Sequence, residues 1–182
     1  GDKKISDPQP DWLMGIRNTL MFKDITLTFL WDFRQGGDVA NVTMNWQRAQ
    51  GVPSFANSRG HMVIFKGVKG DGTVNTTPVL IDDAAYFNNN TGNRNIAERF
   101  VEDGSWVRLR DVTLSYSLPQ ALVNKIRLRT LNVSVYGRNL LLFTGYSGID
   151  PETNYTVNSS IGVDAFGTPT ARSFGVSLNA GL

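Results

Sequence analysis

A side-chain repeat of two restricts this chain more than any other feature. Ile25, Leu27, Phe29, Trp31 and Phe33 alternate with Thr26, Thr28, Leu30 and Asp32. Val112, Leu114, Tyr116 and Leu118 alternate with Thr113, Ser115 and Ser117, and Leu131, Val133 and Val135 alternate with Asn132, Ser134 and Tyr136. Phe174, Val176, Leu178, Ala180 and Leu182 close the chain, interleaved with Ser173, Gly175, Ser177, Asn179 and Gly181. Successive residues of a strand point to opposite faces, so a period of two is the mark of β structure with one apolar and one polar side. Between 13 and 22 the pattern is weaker, with Ile16, Leu20 and Phe22 on one face and Asn18 interrupting it. Together these segments predict an all-β fold of antiparallel strands at about 13–22, 25–33, 105–118, 128–140 and 171–182. Each approaches the roughly nine to eleven residues that a tilted strand needs to cross a bilayer.

The connections fit that reading. Lys23-Asp24 and Pro119 to Arg127 are short, whereas 34–104 and 141–170 are long. Bacterial barrels keep short turns inside and long loops outside, and the short and long connections here alternate as they must. Counted forward, five strands begin outside and end inside; because such barrels have an even strand number, further wall is expected upstream. In the long connection, Asp38 is expected to cap a short helix carrying Val39, Val42, Trp46 and Ala49 at helical spacing. From Gly51 to Asp103 the sequence turns rich in Gly, Asn, Thr and Asp and reads as irregular loop, with Asp71-Gly72 as a turn and Asn88-Asn89-Asn90 as a polar tract.

Composition excludes several functions. The chain has 182 residues with 41% hydrophobic and 19% charged, a balance suited to one folded unit. A net charge of +2 with no Lys/Arg block argues against nucleic acid as a partner. The absence of Cys removes disulfides, zinc thiolate sites and thiol catalysis. His61 is the one histidine, and no G-x-S-x-G pattern accompanies it. Asp82-Asp83 and Glu102-Asp103 are adjacent pairs whose side chains diverge on a strand, so they read as solvated loop charge rather than as a glycosidase pair or calcium loop. No catalytic constellation, cofactor site or metal site is expected.

Several ordered motifs point further. Trp106-Val-Arg-Leu-Arg-Asp-Val-Thr-Leu-Ser-Tyr-Ser-Leu-Pro119, Val135-Tyr-Gly-Arg-Asn139-Leu and Tyr146-Ser-Gly-Ile-Asp150-Pro151-Glu152 stand in this order. They are joined by Gly1-Asp-Lys-Lys-Ile-Ser-Asp-Pro8-Gln-Pro10-Asp11-Trp12 and Gln35-Gly-Gly-Asp38. With these pieces the chain resembles the C-terminal barrel portion of SusC/RagA-type TonB-linked outer-membrane proteins of Bacteroidetes. The resemblance implies part of a TonB-dependent importer of oligosaccharide or peptide in the bacterial cell outer membrane, its strands facing outer-membrane lipid. A SusD-like surface lipoprotein would act as lid. TonB would act through a plug domain and an N-terminal part that this chain does not include. Family members generally end in an aromatic residue, so a residue or two is expected beyond Leu182. The alternative is a soluble secreted β-sandwich that binds glycan, which would also show short alternating strands.

Within that frame, Trp46, Tyr86, Trp106 and Tyr146 are the aromatic candidates for contact with substrate or lid. Gly148, Asp150, Pro151 and Glu152 read as a loop-shaping turn: Gly reaches positive φ, Pro fixes φ, and an Asp before Pro accepts backbone N–H bonds.

Overall fold

The computed structural model describes residues 4–50, 52, 60–81, 97–153 and 161–181. In chain order these form β1 (Trp12–Phe22), β2 (Ile25–Gln35), β3 (Asp38–Asn41), helix α1 (Val42–Ala49), β4 (Met62–Ile64) and β5 (Pro78–Leu80). A 3-10 turn (Ala97–Phe100) leads into β6 (Val101–Asp103) and β7 (Trp106–Ser117). The one-turn helix α2 (Gln120–Val123), extended by a 3-10 turn (Asn124–Ile126), is followed by β8 (Thr130–Thr144), β9 (Val163–Asp164) and β10 (Ser173–Gly181). The strands β1, β2, β7, β8 and β10 lie side by side in that order, each antiparallel to its neighbour. The fold is thus the antiparallel all-β class that the alternation predicts, with Lys23 at φ +52° turning β1 into β2.

Register joins the apolar residues of all five strands into rows. Leu20 stands opposite Leu27, Leu27 opposite Leu114, Leu114 opposite Val135, and Val135 opposite Val176. The neighbouring row runs Phe22, Ile25, Tyr116, Val133, Leu178. On the other face lie Thr19, Thr28, Thr113 and Tyr136, and beside them Met21, Thr26, Ser115, Ser134 and Ser177. Hydroxyls pair across that face, Thr19 with Thr28 at 3.2 Å and Ser115 with Ser134 at 2.9 Å. The apolar face is not covered: Leu20 is 54%, Leu114 44%, Val135 48% and Val176 71% exposed. Removing one such side chain from water is worth roughly 1.5–3 kcal/mol, so a face of this size left wet forgoes a large part of the folding free energy. A sandwich would bury this face beneath a second sheet, and among the described residues none lies there.

A bulge keeps the face continuous. β2 passes directly from Leu30 to Trp31, β7 inserts Arg110 between Leu109 and Asp111, and β8 carries Asn139 and Leu140 between Arg138 and Leu141. One extra residue inverts the alternation, so Val107 and Leu109 below the bulge share a side with Val112, Leu114 and Tyr116 above it. Two extra residues restore the phase in β8, and Leu141 and Phe143 fall in line with Val133 and Val135. Asn139 takes φ +53° there, a conformation that Asn tolerates better than most side chains.

Among the described residues of 51–103, expected as irregular loop, the short strands β4, β5 and β6 stand out, and Asp71-Gly72 forms the turn expected of it. β3 pairs antiparallel with β6 and parallel with β9, and β4 and β5 form a separate hairpin. Helix α1 begins later than the pattern suggests, and its cap is Asn41, not Asp38: Asn41 Oδ1 accepts the Met44 N–H at 2.8 Å. Asp38 instead belongs to β3, and its carboxylate accepts the Asp7 N–H at 2.7 Å. β8 runs through Thr144, past the boundary expected at 140, because Leu141 to Thr144 pair with Trp106 to Leu109. The buried apolar side chains Val39, Ile81, Phe100, Trp106 and Tyr146 belong to these connections or to the strand ends feeding them, and Val123 is buried in the short connector. No helix among the described residues is long and apolar enough to cross a membrane, which says nothing of strands.

Candidate functional site

The loop end of the sheet is built on two arginines. The bulge puts Arg108 and Arg110 on the face opposite the apolar rows, where the segment after β8 folds against them. Arg108 Nη2 donates to Asp150 Oδ1 at 2.7 Å, with both side chains almost fully buried. Arg108 Nε also lies 3.0 Å from Glu152 Oε2, but the N–H is out of line, so that contact is coulombic rather than a hydrogen bond. Arg110 forks onto Glu152, Nη2 to Oε1 at 2.8 Å and Nη1 to Oε2 at 3.0 Å, and reaches Asp32 Oδ2 at 2.8 Å through Nη2. The Trp106 ring lies within 5.6 Å of both guanidinium carbons. Asp150 also accepts the backbone N–H of Glu152 at 3.0 Å and of Thr170 at 3.2 Å. The segment is therefore tied to the sheet by charge through Asp150 and Glu152, and Gly148 does not take the positive φ expected of it.

A second cluster joins β3, β6, α1, β9 and the residues after β8. Glu102 accepts from Asn41 Nδ2 at 3.0 Å, Ser147 Oγ at 2.8 Å and Ser147 N at 2.8 Å. Asp164 accepts from Thr43 Oγ1 at 2.9 Å and from the Tyr146 hydroxyl at 2.7 Å. Burial pushes the Tyr146 phenol well above its ordinary range, reinforced by the hydrogen bond to Asp164 and the charges of Asp164 and Glu102. Beside this cluster opens a cleft of about 360 Å³, lined in part by Asn41, Thr43, Gln47, Ser147, Asp164 and Phe166. Its polar side chains are hydroxyls, amides and the Asp164 carboxylate; the set suits holding a ligand rather than activating a nucleophile. Among the described residues no group of three potential metal ligands occurs.

None of the described aromatic candidates lines the cleft. Trp46 is 45% exposed on α1, whereas Trp106 and Tyr146 are each 5% exposed and present no ring face to a ligand. Both are framework residues: Trp106 lies beside the arginines, and Tyr146 props Asp164 from behind. Gly148 is required beside it, since a Cβ there would run into the Tyr146 ring. Tyr86, Asp82-Asp83 and the Asn88-Asn89-Asn90 tract lie outside the described residues. Of the Glu102-Asp103 pair, Asp103 is exposed as expected, while Glu102 is half-buried and carries three hydrogen bonds. Sequence reasoning missed Arg108, Arg110, Asn41 and Asp164. The signal available was Arg108-Leu-Arg110, two cations at strand spacing upstream of Asp150 and Glu152.

No family model matches the chain. It is 32% identical over 97% of its length to TonB-dependent receptor P3 of Formosa agariphila and 29% identical over 96% to TonB-dependent receptor P26 of the same bacterium. It spans 17% of the length of each of these curated relatives. Among solved structures it resembles the RagAB peptide transporter with a TM-score of 0.64 at 20% identity, over 97% of this chain and 17% of that one.

Proposed function

The chain belongs to the TonB-dependent receptors, and from that premise we propose that it is of the SusC/RagA type and supplies wall and external loops to a nutrient importer of the outer membrane. In this reading the cargo is oligosaccharide or peptide, a SusD-like surface lipoprotein closes over it, and TonB supplies the energy. The chain does no chemistry on the cargo.

The observation that carries the proposal is the two-sided sheet. One face is apolar across five strands and uncovered, as a lipid-facing wall requires; the other carries Thr, Ser, Tyr, Asp and Arg, as a water-filled or plugged lumen requires. Aromatics stand at both ends of the apolar face, Phe22 and Tyr116 near the short turns, and Trp31, Phe33 and Phe143 near the long connections. Trp31 and Phe143 stack with centroids 6.4 Å apart. Ile25 to Phe33 spans about 27 Å along the strand, comparable to the apolar band of an outer-membrane barrel once tilt is allowed for. A soluble glycan-binding sandwich is disfavoured by the same uncovered face.

Deleting the gene of the full-length receptor, restoring it, and following growth on peptides and on oligosaccharides as sole nutrients tests the import reading. Growth restored by the gene on one of these classes supports it; growth indifferent to the gene on both removes it.

A further inference from the structure

We propose that the cleft beside α1 is a subsite for a primary ammonium group on the transported substrate, carried by a peptide amino terminus or lysine, or by an amino sugar. The proposal rests on the import reading and adds a substrate class to it. The cleft, at about 360 Å³, has room for a side-chain-sized group with bound water.

Its charge is unbalanced. Asp164, 6% exposed, lines the cleft, and among the described residues its two oxygens are met by neutral hydroxyls, those of Thr43 and Tyr146. Glu102, behind Asn41 and Ser147, is met by an amide, a hydroxyl and a backbone N–H. Among the described residues neither carboxylate forms an ion pair, and those lining the cleft include no Lys, Arg or His. A carboxylate as buried as Asp164 is ordinarily paired with a cation, as Asp150 is with Arg108. The deficit here is of positive charge rather than of hydrogen bonds, which selects a cation over a neutral sugar ring.

The rim agrees. Phe166 is 64% exposed and held at φ +58°, a left-handed conformation unusual for a bulky side chain. Its N–H donates to Thr43 Oγ1 at 2.7 Å, so the residue that braces Asp164 also holds the ring at the mouth. An aromatic face there attracts an ammonium group before it reaches the carboxylate. The Gln47 and Ser147 oxygens can accept its remaining protons.

The test uses the purified full-length receptor in detergent and four probes: tetraalanine, N-acetyl-tetraalanine, the tetramer of glucosamine, and its fully N-acetylated counterpart. Calorimetry is expected to show binding of at least one free-amine probe and binding weaker by about tenfold or more for its acetylated twin, the size of one lost charge-assisted hydrogen bond. The pair that discriminates tells peptide from amino sugar. Asp164→Asn should remove the discrimination. Gln47→Lys, which places a cation in the cleft from the surface helix without touching the buried network, should remove free-amine binding. The assignment is overturned if neither free-amine probe binds, if acetylation changes nothing, or if Gln47→Lys binds as the parent does. Any of these alongside receptor-dependent growth removes the subsite alone; loss of receptor-dependent growth removes the import reading itself.

Discussion

Arg108 on β7 and Asp150 in the segment after β8 meet at 2.7 Å with both side chains sealed from water. A buried pair of this kind adds little over an apolar replacement, but breaking it leaves a charge stranded. Arg108→Leu is expected to cost about 3–5 kcal/mol locally, whereas Arg108→Leu combined with Asp150→Leu should cost clearly less. Limited proteolysis of the full-length receptor across 145–153 reads the release of the segment. Equal cleavage of the single and double variants would contradict the pairing argument.

The apolar rows predict a one-sided tolerance. Leu27→Arg should cost roughly 2–4 kcal/mol near the bilayer midplane, while Thr28→Arg, on the other face of the same strand, should cost much less. The readout is the yield of assembled receptor in outer membranes. Equal yields from the two variants would be incompatible with Leu27 facing lipid.

Deleting Arg110 should be worse than truncating it. Arg110→Ala removes the fork to Glu152 and the contact with Asp32 but keeps the bulge. The deletion would swing Val107 and Leu109 to the polar side, or force β7 to slip against both neighbours. Assembly is expected to survive the substitution and to fail for the deletion, measured by the fraction of folded receptor on cold gels.

Alkaline pH should weaken the loop cluster through Tyr146. Its folded pKa is raised, so the contribution is fully present below the ordinary phenol value of 10.0 and is lost as pH rises from there toward the folded pKa, because only the unfolded chain ionises freely in that window. Stability of the parent should fall above about pH 10, with a shallower fall for Tyr146→Phe. At neutral pH Tyr146→Phe should cost about 1–3 kcal/mol, because Asp164 loses a donor while remaining buried. Denaturant midpoints measured across that range decide the sign.

Much of the sheet could be read from sequence because period two is a local signal. The alternation from Ile25 to Phe33 and from Val112 to Tyr116 needs no knowledge of partners. The bulge at Arg110 was legible only as a change of phase, Val107 and Leu109 odd against Val112 and Leu114 even, and its meaning depends on what lies across the ladder. The loop cluster was hidden for a different reason. Asn41, Glu102, Ser147 and Asp164 come from four distant segments, and no local pattern says that they meet. Aromatic character misled in the same way: Trp106 and Tyr146 are suited to stacking on a ligand, yet the surrounding arginines and carboxylates use them as internal framework.

The uncovered rows from Leu20 to Val176 also constrain how such a wall can be made. A sheet with one side that water cannot wet is a template for clumping whenever it stands free. Such strands are therefore expected to pair where lipid, and not water, meets the apolar rows. The feature that would fit the finished wall to a membrane is the one that makes it hazardous before a membrane is reached.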